Sequence, residues 1–97
     1  MLPSGTFPHS RNMSLSEDFD AAQARVKGLS ATPSNDDLLQ LYALFKQATQ
    51  GDVSGKRPGM LDIKGRAKFD AWSSVKGTPK DDAKTRYVEL VSRLAGD

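Results

Sequence analysis

The sequence contains no cysteine. That excludes disulfides, thiolate metal sites and a nucleophilic thiol, and nothing in it argues for secretion. No apolar run approaches the roughly 18 residues that a membrane-spanning helix requires. The first dozen residues also lack the continuous apolar core of a secretory signal. There is one histidine, His9, and no glycine loop that ends in lysine and a hydroxyl residue, so thiol, imidazole and Walker-type phosphate chemistry have little to stand on. Charge of one sign is missing too. The 14 basic and 12 acidic residues leave a net charge of +2, a mixed surface rather than the dense cationic field of a nucleic-acid binder. What remains is one small cytoplasmic domain of 97 residues, long enough to bury roughly two-thirds of its unfolded surface. Any anion it binds is expected to be small.

The opening "MLPSGTFPHSRN" has two prolines, a glycine and no apolar period. It reads as a disordered leader over 1–13, with Met13 an alternative start and His9 a solvated tail residue rather than a metal ligand or general base. The folded domain is expected over 14–97. Phe19, Ala22, Val26 and Leu29 recur at the spacing of one helix face. Ser14 with Glu17, or Ser16 with its acidic neighbours, offers an N-cap, and Gly28 with the following "SATPS" offers the stop. Ser34 can cap a second helix, "NDDLLQLYALFKQATQ". Its apolar residues cover about 220° of the helical wheel, where one core contact needs about half of that. Either helices cover it on two sides, or part of the excess lines a ligand site. A glycine-rich connection, "GDVSGKRPGMLDIKG", follows and is longer than helix packing needs. A third helix is expected over "RAKFDAWSSVK", with Phe69, Trp72 and Val75 inward and Gly77 closing it. The fourth has Thr78 as cap, Pro79 at its first position, and a stripe of Ala83, Tyr87, Leu90, Val91 and Leu94. Four amphipathic helices without strand-like alternation predict an all-α bundle.

Asp36 with Asp37 and Asp81 with Asp82 are adjacent carboxylates, but each pair sits at a helix start, where capping accounts for it. The cations say more. Lys46 stands one turn after Tyr42, Lys64 and Lys68 are an i, i+4 pair, and Lys27 follows Val26, so each lies beside an apolar or aromatic stripe. Snorkelling from a core edge explains any one of them. As a set they suggest a basic rim around an apolar groove. A matching ligand has an anionic head of phosphates, an apolar body and an aromatic base to stack on Tyr42 or Phe45, and acyl-coenzyme A has all three.

From Phe19 to Leu94 the chain resembles the acyl-CoA-binding proteins. The most specific matches are "YALFKQATQGD", similar to the family's Y-x-x-[YF]-K-Q-A-T-x-G-D run, and "RPGMLDIKGRAKFDAW" followed by "KGTPKDDA". The resemblance implies a four-helix up-down-down-up bundle with a bowl-shaped groove, the nucleotide head at its rim and the acyl chain along its inner surface. It implies head-group roles for Lys27, Lys64 and Lys68, with Tyr42, Lys46 and Lys68 holding the 3′-phosphate. Phe45 would pack on adenine, Tyr87 would close the site, and Leu38, Leu39 and Leu41 would line the acyl end, with Ala67 among the ligand contacts. A phosphate would also offset the penalty of placing Lys64, Arg66 and Lys68 around a helix start. Phe45, where many relatives have tyrosine, Phe69, where tryptophan is commoner, and Gln23, in place of a small residue, depart from the pattern.

The activity so implied is a non-catalytic carrier of medium- to long-chain fatty acyl-CoA esters, with the ester as ligand and no cofactor. Its recipients would be acyl-CoA-using enzymes, the protein would be a monomer, and it would make at most transient membrane contact and bind no nucleic acid. The alternative is a helical protein-interaction module in which the wide apolar arc of the second helix receives a partner helix.

Overall fold

The computed structural model describes residues 14–97, so the expected leader, with His9 and Met13, lies outside the described residues. Within them the chain forms four helices and no strand: α1, Leu15–Val26; α2, Asn35–Gln50; α3, Ile63–Ser73; and α4, Lys80–Ala95. Local chemistry sets most of the boundaries. At α1 the Ser14 hydroxyl accepts from the Glu17 N–H at 3.2 Å and the Glu17 carboxylate accepts from the Ser14 N–H at 2.8 Å, a reciprocal capping box. Ser14, not Ser16, is therefore the cap. The Ser34 hydroxyl accepts from the Asp37 N–H at 3.1 Å and starts α2. Gly51, at φ +85°, lets the chain leave that helix through a conformation that a side chain would strain.

Helix α3 differs from the sequence expectation at both ends. It starts at Ile63, three residues before Arg66, because the Asp62 carboxylate accepts from the Gly65 N–H at 3.0 Å and caps it. It ends at Ser73, after which Ser74–Gly77 form turns rather than a further helical turn. Thr78 does not cap α4, and Pro79 sits just outside its first residue with no side-chain cap. Leu29 lies beyond the end of α1.

Helix directions follow from which residues meet. Ser16 and Lys84 join the starts of α1 and α4, while Arg25 and Asp97 join their ends, so these two run parallel. Trp72 reaches Gly51 at the far ends of α3 and α2, so these also run parallel. Gln47 meets Thr78 and Asp37 meets Arg93, so α2 runs against α4. The result is the up-down-down-up bundle. Helix α4 is covered by α1 on one side and α2 on the other, and α3 packs chiefly on α2. Phe19, Ala22, Leu41, Leu44, Ala48, Ala83, Tyr87, Leu90 and Val91 form the buried cluster, with Val26, Phe45, Val75, Val88 and Leu94 packed against it. Phe19 meets Tyr87 edge-on at 5.0 Å and stacks with Phe45 at 6.0 Å, an arrangement that joins three helices at one point.

Candidate ligand-binding groove

Helix α3 leaves part of the apolar arc of α2 uncovered. Leu41, Ala43, Leu44 and Ala48 are buried, whereas Leu38 is exposed and Leu39 and Tyr42 are half-buried. Two helices therefore cover most of the wide arc, and the remainder faces a hollow. That hollow, of about 370 Å³, lies between α2 and α3 and is lined by Asn35, Leu38, Leu39 and Tyr42 from one helix and Ile63, Lys64, Ala67 and Lys68 from the other. A second hollow of about 300 Å³ opens on the opposite side of Tyr42, among Gln23, Val26 and Lys27 of the α1 end, Leu41 and Phe45 of α2, and Tyr87 of α4. Tyr42 is the shared wall.

Cations gather on that wall. The Lys68 ammonium lies 5.5 Å from the centre of the Tyr42 ring and the Lys46 ammonium 6.0 Å from it. Lys46 is also 5.0 Å from the Trp72 ring, whose N–H donates to the Gly51 carbonyl at 2.8 Å. These distances fall within the roughly 6 Å over which a ring's quadrupole attracts a cation. The arrangement holds two like charges near one ring without any carboxylate between them. None of Lys27, Lys46, Lys64 and Lys68 forms an ion pair among the described residues, although Arg25, Arg57 and Arg93 each pair with an aspartate. Arg57 donates twice to Asp70, at 2.8 and 2.7 Å, which holds the Asp70 carboxyl below its usual range. The acids of α3 are thus engaged elsewhere, Asp70 with Arg57 and Asp62 with its own helix N-terminus. Unpaired lysines beside an apolar hollow suit an amphiphile with an anionic head.

A polar network anchors the same helices at their far end. Gln47, only 1% exposed, donates its side-chain N–H groups to Asp52 and to the Thr78 carbonyl, both at 2.8 Å. The same Asp52 oxygen accepts from the Gly77 N–H at 2.8 Å. Hydrogen bonds from Gln47 and then from Gly77 hold the Asp52 carboxyl below its ordinary range. Burial raises the Tyr87 phenol above its usual value.

Of the residues expected from the sequence to form the site, all but Lys46 line one of the two hollows, and Lys46 lies over Tyr42 and Trp72 beside them. Leu41 is separated from Leu38 and Leu39: it faces the second hollow, with Phe45 and Tyr87, and belongs to the core. Sequence reasoning left out Asn35 and Ile63 as lining residues. Ile63 was hidden by starting α3 too late, and Asp62 three residues before Gly65 was the signal that could have placed it. Trp72 was expected in the core, which it is, but its ring is also the platform for Lys46. Gln23, noted as a departure, lines the second hollow and donates to the Phe19 carbonyl at 3.3 Å.

Comparison with known proteins agrees with this architecture. Residues 16–91 match the family model described as Acyl CoA binding protein. The acyl-CoA-binding protein homolog 1 of Caenorhabditis elegans is 58% identical over 76 residues, covering 78% of this chain and 88% of that protein. The acyl-CoA-binding protein of Brassica napus is 51% identical over 82 residues, covering 84% and 89%. Among solved structures, acyl-CoA-binding protein 2 of Oryza sativa superposes with a TM-score of 0.80 at 43% identity, over 84% of this chain and 90% of that one. Matched over most of its length in both sequence and backbone, the chain belongs to the acyl-CoA-binding protein family.

Proposed function

We propose that this protein is a non-catalytic carrier of medium- to long-chain fatty acyl-CoA esters, which it withholds from membranes and releases to acyl-CoA-using enzymes. The observation that carries the reading is the convergence of Lys46 and Lys68 on the Tyr42 ring, beside an apolar hollow and without a carboxylate partner. In this reading the 3′-phosphate sits against Tyr42, Lys46 and Lys68, and Lys64 and Lys27 approach the remaining phosphates from either side. The adenine packs on Phe45 in the second hollow, which Tyr87 closes. The acyl chain runs along Leu38, Leu39, Ala67 and Ile63. The ester is cargo rather than cofactor, and the protein acts as a cytoplasmic monomer.

Head and tail both contribute. Hiding about fifteen methylenes at about 0.8 kcal/mol each sets an upper limit of about 12 kcal/mol before association and ordering costs are subtracted. A charge-assisted contact to phosphate adds about 1.5 to 3 kcal/mol, so three or four of them rival the chain and select for the coenzyme A ester over the free acid. Calorimetry with a long-chain acyl-CoA, the matching free fatty acid and coenzyme A alone tests this. The ester is expected to bind far more tightly than either half, and equal affinity for all three would refute the reading. A protein-interaction module would bind none of them. Among the described residues no helix is long and apolar enough to cross a membrane.

A further inference from the structure

A third hollow, outside the groove, joins apolar walls to a cation without an ion partner. It measures about 210 Å³ and lies where α2, the end of α3 and α4 meet, with Leu39 and Leu44 of α2, Ala71 of α3 and Val75 of the following turn as apolar walls. Gln40, Ser74 and Arg86 supply its polar atoms, and no described carboxylate borders it. It shares Leu39 alone with the α2–α3 hollow, and none of the lysines proposed to meet the ester's phosphates lines it. Arg25, Arg57 and Arg93 each hold an aspartate, whereas Arg86 forms no ion pair among the described residues. Neighbouring hollows are built differently. Between α1 and α4, Asp18 and Asp97 border the space and Arg25 is held by Asp97 at 2.6 Å. The other hollow that Arg86 borders, at the start of α4, also contains Asp82, which repels an anion there. A helix C-terminus normally turns unpaired carbonyls toward such a place. Here the Ala71 carbonyl accepts from the Ser74 hydroxyl at 2.6 Å and from the Ser74 N–H at 3.2 Å, and the same N–H donates to Asp70 at 3.0 Å, so the end of α3 opposes an anion less.

We propose that this hollow is a binding site for a short aliphatic monocarboxylate, separate from the acyl-CoA groove. A guanidinium presents a planar fork that matches a carboxylate through two parallel hydrogen bonds, and the Gln40 amide adds a donor at the same rim. One guanidinium balances one negative charge, so a phosphate would bring more charge than the hollow can offset. The apolar walls call for an apolar body, and the volume limits it. About 210 Å³ admits about seven groups of water size at about 30 Å³ each, which is an acid of about five carbons. A long-chain acid outgrows the space.

The test is a titration of the full, ligand-free chain with sodium pentanoate at constant ionic strength, followed by backbone amide NMR shifts. Saturable shifts are expected at Ala71, Val75 and Arg86, with a dissociation constant of about a millimolar, the range open to a ligand of so few atoms. Pentanamide, which keeps the size and loses the charge, and the variant Arg86→Gln should each weaken binding at least about tenfold. Arg86→Lys, which keeps the charge and loses the fork, should recover part of that loss. Arg86 is exposed, so the helical circular dichroism and melting of both variants should match wild type. Absence of saturation, equal affinity for acid and amide, indifference to Arg86→Gln, or shifts centred on Tyr42 and Lys68 instead of Arg86 would overturn the site. So would displacement of pentanoate by a long-chain acyl-CoA, because that would place the acid in the groove. The site does not depend on the carrier reading: a chain that binds pentanoate at Arg86 but no acyl-CoA by calorimetry would support the site and overturn that reading.

Discussion

Helices α2 and α3 lie side by side and parallel, yet their two ends are built from opposite materials. At the C-terminal end, Gln47, Gly51, Asp52, Trp72, Gly77 and Thr78 are tied by four hydrogen bonds at 2.8 Å that join α2, α3 and the connections on both sides of α3. At the N-terminal end Leu38, Leu39 and Ile63 face one another across a hollow that no side chain fills. One end is positioned by directional bonds and the other is left apolar and open. The closed end sets where the Trp72 ring lies and therefore where Lys46 stands. A charged head demands fixed partners, because hydrogen-bond geometry is steep, whereas an apolar chain of variable length demands only a greasy surface, because the hydrophobic effect has no direction.

The sharpest way to break this contrast is to remove the bond network at the closed end. Gln47→Leu keeps the volume roughly constant but takes from the Thr78 carbonyl its Gln47 donor and removes one of the donors to Asp52. Destabilisation of about 2 to 3 kcal/mol is expected, with a fall in melting temperature of about 10 °C or more for a domain of this size. At the open end Ile63→Ser is expected to change stability by no more than about 0.5 kcal/mol, because the side chain is 77% exposed, while weakening acyl-CoA binding. Thermal melts of the two variants side by side decide the matter. If they unfold at the same temperature, the two ends contribute equally to stability and the contrast between them fails.

Affinity should divide along the same line. Tyr42→Ala and Lys68→Ala are each expected to cost about 1.5 to 3 kcal/mol in acyl-CoA binding, about a tenfold to 150-fold loss, with the helical spectrum retained. Both substitutions should also weaken coenzyme A alone. Ile63→Ser should leave coenzyme A alone unaffected and act only on the ester. A pattern in which all three variants lower both affinities equally would mean that head and tail are not held at separate places.

Three of the four helices were legible because their signals are local. The stripe of Phe19, Ala22 and Val26, the Ser14–Glu17 pair and the Ser34 cap each need only a few neighbouring residues, and tertiary packing agrees with them. Helix α3 was read three residues late and three residues long. Its start carries Gly65 and three cations, both unfavourable there, and only the Asp62 carboxylate offsets them. Its expected end ran on to Lys76 because Val75 continues the apolar spacing, but Val75 reaches the core from a turn. The Thr78 cap failed for a similar reason: what Thr78 contributes is its carbonyl to Gln47, which stands 31 residues away in sequence. The lysines were visible as a set, but a sequence does not show which of them lack partners. That depends on Arg57 having taken Asp70 and on Asp62 having turned to its own helix.

Acid should loosen the closed end first. The Asp52 carboxyl titrates below its ordinary value of 3.8 because Gln47 and then Gly77 donate to its charged form. A depressed folded-state value means that the unfolded chain binds the proton more readily. The stabilisation is therefore complete above the unfolded value and is lost as pH falls through it toward the folded value. Asp70, depressed by Arg57, acts in the same direction over the same range. Urea unfolding of wild type from neutral pH to about pH 2.5 should show stability falling below about pH 5. Asp52→Asn should be less stable at neutral pH but flatter in acid, and parallel curves for the two proteins would remove Asp52 from the account.

The smallest effect expected is the most diagnostic of how α3 begins. A methyl group added at Gly65 would collide with the Asp62 carboxylate that caps the helix, so Gly65→Ala forces the cap aside. Losing a cap costs about 0.5 to 2 kcal/mol, and replacing glycine by alanine within a helix returns at most about 1 kcal/mol, less in a first turn. The net change should be a destabilisation of under about 1 kcal/mol. In an Asp62→Ala background, where no cap remains to be displaced, the same Gly65→Ala substitution should become stabilising. A reversal of sign between the two backgrounds identifies Asp62 as the group that holds this cation-rich helix start in place before any anionic ligand arrives. An unchanged sign would assign that role to the packing of α3 on α2 alone.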